Sequence, residues 1–245
     1  GTDRFTYTLT ETVAPKGYEL PADPDHTFTV DTSGNITMTN VGAFSGKDEN
    51  MTVKDAKIEV DIQKTDEKGG VIGDEKRGYA EFSVTGIFAG ETAETTISGS
   101  TAKTNNISDL QTKLSGRLVA GNSYTLTETK APDGYILPDP ALTAVFTVDA
   151  NGEIRMKPGE DAGGKATADN NGANGMAVIS VKDSPIALSL TKSDIADGIA
   201  IAGRGDAAFE VTPTAATDTF ADGSKTAVTV TTAENGMDAL TGKLR

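Results

Sequence analysis

At 245 residues the chain has room for about two ordinary domains. Its net charge of −14 argues against nucleic acid or an anionic membrane surface as partner, and no apolar run approaches a transmembrane span or a signal peptide's hydrophobic stretch. With no Cys and a single His, disulfides, thiol catalysis, zinc-finger chemistry and His-based triads are excluded. A hydrophobic content of 36% with 27 Gly suits an all-β protein of short strands and many turns.

In chain order, the first element is Tyr7-Thr-Leu-Thr-Glu11-Thr-Val-Ala-Pro-Lys-Gly-Tyr18-Glu-Leu-Pro21. It begins as a strand and breaks at Ala-Pro-x-Gly, where Pro presets a turn φ and Gly tolerates a positive one. His26 follows in Pro-Asp-His-Thr-Phe, at a strand start, and reads as an ordinary loop residue. Phe28-Thr-Val-Asp31-Thr-Ser-Gly34-Asn-Ile36 predicts a hairpin, and Thr52-Val-Lys-Asp55 a closing strand. Then comes Ile58, Val60, Ile62 and Lys64 on one face of a strand, followed by the strand Tyr79-Ala-Glu-Phe82-Ser-Val84 and a long loop at 86–116.

The opening element then recurs as Tyr124-Thr-Leu-Thr-Glu128-Thr-Lys-Ala-Pro-Asp-Gly-Tyr135-Ile-Leu-Pro138, differing at three of fifteen positions. A second hairpin, Phe146-Thr-Val-Asp149-Ala-Asn-Gly152-Glu-Ile154, and a long loop at 157–175 follow. Within that loop Asp169-Asn-Asn-Gly-Ala-Asn-Gly has the turn residues of a calcium loop but not its spaced acidic ligands. The strand Ile179, Val181, Asp183 closes this set. Leu188, Leu190 and Lys192, then Ala207-Ala-Phe209-Glu-Val211, restart it.

The repeats predict three segments: 1–55, the C-terminal part of a domain; 56–185, a complete domain; and 186–245, the N-terminal part of another, complementing 1–55 within or between chains. Lys64 lies 64 residues before Glu128, and the residues after Lys192 together with those up to Glu11 make the same number. Joining Arg245 to Gly1 would thus restore the spacing, as in one period of a two-domain tandem array. Linkers as short as Asp183-Ser-Pro-Ile favour a stiff rod.

Alternation puts Glu128 on the face of Tyr124 and Leu126, Lys64 on that of Ile62, and Asp183 on that of Val181. Three ionisable groups thus point into an apolar core, where burial raises carboxyl pKa values and lowers that of an ammonium. The residues alone leave two readings: a buried Lys–Asp ion pair with Glu as second acceptor, or an amine nucleophile facing a carboxyl electrophile.

Tyr-x-Leu-x-Glu-Thr-x-Ala-Pro-x-Gly-Tyr, matched at every signature position in both copies, closely resembles the glutamate motif of CnaB-type, SpaA-like pilin and adhesin domains of Gram-positive surface proteins. The resemblance covers nearly all of the chain. It implies tandem β-sandwiches (prealbumin- or Ig-like) in which the first-strand Lys and last-strand Asn or Asp form a spontaneous isopeptide bond promoted by the glutamate. Carried over, this means Lys64–Asp183 assisted by Glu128, and Lys192–Asp55 assisted by Glu11. Many family members end with Asn where both repeats here have Asp. Asn40, in Ile36-Thr-Met-Thr-Asn40, is the rival partner of Lys192, and Asp55 is preferred because its context matches that of Asp183.

The function so implied is a structural stalk of a Gram-positive cell-surface adhesin or pilus-like fibre in the cell wall, with neighbouring copies of the repeat as partners. The bond forms once per domain, so the protein is no turnover enzyme, and no metal or cofactor set is present. A sortase-type Leu-Pro-x-Thr-Gly signal is missing, since Leu137-Pro-Asp-Pro and Leu20-Pro-Ala-Asp do not match. Two further readings stand beside the stalk. One is an adhesin module holding a host matrix protein or glycan with the loops at 86–116 and 157–175, which lack clustered aromatic anchors. The other is head-to-tail covalent polymerisation through the split terminal domain.

Overall fold

The computed structural model describes residues 4–38, 44–47, 50–196, 198, 206–233 and 236–245. The N-terminal segment holds β1 (Arg4–Thr10), β2 (Asp25–Asp31), β3 (Ile36–Met38), β4 (Phe44–Lys47) and β5 (Asn50–Val53). The middle of the chain holds β6 (Val60–Thr65), β7 (Glu81–Gly86), β8 (Thr95–Ser100), β9 (Lys103–Thr104), β10 (Ile107–Ser108), α1 (Asp109–Leu114), β11 (Ser123–Lys130), β12 (Thr143–Val148), β13 (Ile154–Met156), β14 (Ala166–Asp169) and β15 (Ala177–Lys182). β16 (Ala208–Val211) and β17 (Val228–Thr231) follow.

The middle region is a β-sandwich. One sheet runs β13-β12-β11-β7-β8 and the other β14-β15-β6. Period-two alternation supplies the filling: Phe82, Val84, Tyr124, Leu126, Phe146 and Val148 from the first sheet meet Val60, Ile62, Ile179 and Val181 from the second, all at 1% exposure or less. β6 and β15, the first and last strands of this region, pair in parallel with Lys64 opposite Val181. That pairing brings the far ends of the sequence segment together.

Two expected loops have more structure than their composition suggested. Residues 86–116 contain β8, β9, β10 and α1. Ser108 caps α1 by accepting from the Gln111 amide, and Leu110 and Leu114, one turn apart, are buried. Residues 157–175 contain β14, which pairs with β15. His26 lies within β2 and is buried, not in a loop.

The flanking segments are thinner. β1, β2 and β3 form a three-stranded sheet of their own, β4 pairs with β5, and β16 with β17. Tyr7 stacks on Phe28 with ring centroids 5.4 Å apart, as Tyr124 does on Phe146. Phe220, Val230 and Leu240 make a small separate core. No strand forms over Leu188–Lys192; β5, the counterpart of β15, pairs with β4 as β15 does with β14, but among the described residues it has no partner equivalent to β6.

Candidate functional site

Three strands aim one ionisable side chain each into the same end of the sandwich core. Lys64 comes from β6, Glu128 from β11, and Asp183 follows the last residue of β15. Their exposures are 0%, 0% and 1%. Lys64 and Asp183 thus stand on one sheet, and Glu128 faces them from the other.

Lys64 Nζ donates to Glu128 Oε2 at 2.6 Å and lies 3.4 Å from Asp183 Oδ2. The Phe82 ring, whose residue pairs with Glu128 in the sheet, sits 5.9 Å from Nζ. Asp183 Oδ1 accepts from the Ser184 amide. Glu128 Oε1 and Asp183 Oδ2 are sealed from solvent without a hydrogen-bond partner. A group in that condition carries a desolvation cost that ordinary ion pairs avoid.

Electrostatics follow from the burial. Desolvation pushes the Glu128 carboxyl up to about 7; the hydrogen bond and charge of Lys64 pull it down, and the charge of Asp183 adds to the rise. Burial likewise raises Asp183, with Lys64 opposing. Burial thus raises both carboxyls, and both face the single Lys64 side chain.

The second set is arranged differently. Glu11 and Asp55 are neighbours, and the Glu11 carboxyl is raised first by burial and then by the Asp55 carboxylate. Lys192 is exposed, and among the described residues no ion pair within 4 Å joins it to Glu11 or Asp55. The structure thus brings together Glu11 and Asp55, with no ion pair from Lys192 to either. Asn40 lies outside the described residues.

Sequence reasoning missed Asp61. It is 2% exposed and accepts from Lys103 Nζ at 2.6 Å, Gln63 Nε2 at 2.9 Å and Ser108 Oγ at 3.2 Å. It ties β6 to the start of α1, and it shares the polar face of the strand with Gln63, so alternation alone gave no sign of its burial. Among the described residues, no three His, Cys, Asp or Glu side chains converge as metal ligands would, and no helix is long and apolar enough to cross a membrane.

The regions 86–116 and 157–175 do meet. Asn105, Asn106 and Gln111 from one, and Ala173 and Gly175 from the other, line an open groove of about 760 Å³ with Glu19, Lys57 and Glu59. Among the described residues, no aromatic side chain lines it.

Residues 46–162 match the SpaA family, described as a prealbumin-like fold domain. No curated protein matches the chain. Among solved structures, the C-terminal fragment of the pilus adhesin SpaC from Lactobacillus rhamnosus GG aligns with a TM-score of 0.34 at 16% identity, over 76% of this chain and 79% of that one. The open conformation of SpaC aligns with a TM-score of 0.34 at 20% identity, over 76% of this chain and 25% of that one.

Proposed function

From the match of residues 46–162 to the SpaA prealbumin-like domains, we propose that the chain is a structural stalk segment of a pilus-associated surface protein on a Gram-positive cell. Its middle domain, 56–185, is held by an amide between Lys64 and Asp183. The observation that carries this reading is Lys64 Nζ at 2.6 Å from Glu128 and 3.4 Å from Asp183, all three enclosed in the core.

The chemistry runs on these three side chains. The Lys64 ammonium passes a proton to Glu128, freeing the Nζ lone pair. Nζ attacks the carboxyl carbon of protonated Asp183 and forms a tetrahedral intermediate. Glu128 gives its proton to the departing hydroxyl and takes one from the nitrogen. One C–N bond forms, one C–O bond breaks, and one water leaves. The product buries a neutral amide where a lysine and an incompletely bonded carboxyl stood, so the reaction also relieves their desolvation cost. It happens once and consumes the protein's own side chains, so there is no turnover.

The mechanical benefit follows from topology. The amide would join the first and last strands of the domain, closing a loop of over a hundred residues. A cross-link of that span is worth about 4–5 kcal/mol in the chain-entropy treatment developed for disulfides. Tension would pass from β6 to β15 through a covalent bond, leaving the strands between unloaded.

Denatured intact mass tests this. The expected result is a chain one water lighter than its sequence, with a branched peptide joining Lys64 to Asp183; the Lys64→Ala chain should have its full calculated mass. A full-mass wild-type chain would reduce the cluster to a buried ion pair.

A second reading concerns Lys192, Asp55 and Glu11. The β1 face bearing Phe5, Tyr7 and Leu9 is 37–58% exposed, and among the described residues no ion pair within 4 Å joins Lys192 to either carboxyl. An exposed lysine with no such pair and an uncovered β1 face favour Lys192 reaching Asp55 of a neighbouring repeat or copy. Covalent multimers on a denaturing gel are its signature, and a monomer band alone would sink it.

A further inference from the structure

The glutamate motif has a second half that the bond chemistry does not use: Ala-Pro-x-Gly-Tyr, at 14–18 and again at 131–135. Both copies make the same contacts with segments downstream of them. In the first, Tyr18 bridges Lys57, the Glu19 amide donates to Ala56 O at 2.9 Å, the Ile58 amide donates to Gly17 O at 3.0 Å, and the Gly116 amide donates to Ile58 O at 3.1 Å. In the second, Tyr135 bridges Pro185, the Ile136 amide donates to Ser184 O at 3.1 Å, the Ile186 amide donates to Gly134 O at 2.8 Å, and the Gly242 amide donates to Ile186 O at 3.0 Å.

Each motif loop thus clasps the strand leading into the next unit, and that strand is hydrogen-bonded in turn to a glycine turn of the unit. The turns correspond: Leu114-Ser-Gly116-Arg117 in one and Leu240-Thr-Gly242-Lys243 in the other. Contact is close in both. A methyl carbon on Gly17 would overlap the Gly116 carbonyl oxygen, and one on Gly134 would overlap that of Gly242. Both glycines are buried at φ +92°. The second joint gains a side-chain clasp: Arg77 Nη1 donates to Gly242 O at 3.2 Å while its own carbonyl accepts from the Asp133 amide at 2.8 Å, and Asp133 pairs with Arg245.

We propose that the Ala-Pro-x-Gly-Tyr loop is a docking element whose partner is the Gly-containing turn of the domain that follows, and that this joint fixes the angle between successive domains. A backbone-to-backbone fit of this kind has no rotatable side chain to absorb bending, and its repetition with the same atoms makes the angle a property of the repeat. Only Ser184 separates Asp183 from the bridged Pro185, and Ala56 likewise separates Asp55 from Lys57. Load arriving at the closing Asp therefore enters the joint directly. The inference deepens the stalk reading, yet it requires no amide: the mass measurement tests the bond, and the joint is tested separately.

The test compares Gly134→Ala with Gly90→Ala in the full chain. Gly90 has φ +85° and open space around its would-be methyl, so it shares the backbone strain without the clash. Gly134→Ala should cleave at 184–187 in limited proteolysis about tenfold faster than Gly90→Ala, as an overpacking cost at the joint dictates. Its small-angle scattering should broaden toward a flexible chain, while its loss of water stays as in wild type. Equal cleavage and scattering in the two variants would overturn the proposal. Should Gly134→Ala fail to fold, Arg77→Ala decides: it removes a clasp without touching the backbone, should loosen the second joint alone, and overturns the proposal if both readouts stay at wild-type values.

Discussion

β1 and β11 carry almost the same residues and live in different environments. Tyr124, Leu126 and Glu128 are at 1%, 0% and 0% exposure, whereas Tyr7 and Leu9 stand at 48% and 37% and Glu11 is half-buried. β11 lies between β12 and β7 with the β6–β15 sheet across the core, while among the described residues β1 pairs with β2 alone. The motif therefore supplies a glutamate on an apolar face, and the opposite sheet buries it. A covered face pushes Glu128 up to about 7 and sets Lys64 against it. Without that cover, Glu11 stands beside a second carboxylate, Asp55, with His26 near enough to oppose the rise.

The largest expected difference lies in paired truncations. Tyr124→Ala removes a ring stacked between Phe88 and Phe146, together with a phenol that accepts from the Val119 amide and donates to Ile87 O. It should lower the stability of the middle domain by about 3–5 kcal/mol in urea unfolding. Tyr7→Ala, at the matching place in β1, should cost no more than about 0.5–1 kcal/mol. Equal losses would mean that the β1 face is covered in solution and would break the comparison.

The next effect is one of pH. Folded Glu128 keeps its proton to about 7, and unfolded it gives that proton up near 4.5. Between those values the folded chain binds more protons, so its stability falls as pH rises through the window and does not recover above it. Asp183→Ala cannot form the amide, and desolvation, the largest cause of the shift, remains. Its urea midpoint should drop as pH rises from about 4.5 to about 7, and the added Glu128→Gln change should flatten that slope. A midpoint that rises across the window would show Glu128 ionised in the folded core.

Strand parity made the buried cluster legible. Lys64, Glu128 and Asp183 each continue an apolar alternation, and the structure brings all three together. The sandwich too is written in those alternations and in the repeated hairpins. What stayed hidden depends on contacts between distant segments. Asp61 lies on the opposite parity from Ile62, in a strand that reads as one-sided; it is buried because α1, β9 and β10 cover that side. The helix was within reach, since Ser108 as cap with Leu110 and Leu114 a turn apart is a helical signature. His26 and the exposed β1 face were not, because their burial depends on which other strands lie over them.

The smallest effects are expected where the comparison is most exposed to failure, at Lys192 and Glu11. Lys192 is solvent-exposed and without an ion pair to either carboxyl, so Lys192→Ala should move the midpoint by less than about 0.5 kcal/mol. Glu11→Gln should be equally quiet, since it replaces a half-buried carboxyl whose neighbour is another carboxylate and not a lysine partner. Dilute protein, free of multimers on a denaturing gel, is the condition to use. A loss of more than about 1 kcal/mol on removing Lys192 would be too large for a surface lysine. It would require Lys192 to reach Glu11 and Asp55 within the same molecule, and β1 would then be a second covered site like β11. With both changes silent in dilute protein and Lys192→Ala abolishing any multimer that forms at high concentration, the difference between the strands is one of cover alone, and a neighbouring repeat or copy supplies it.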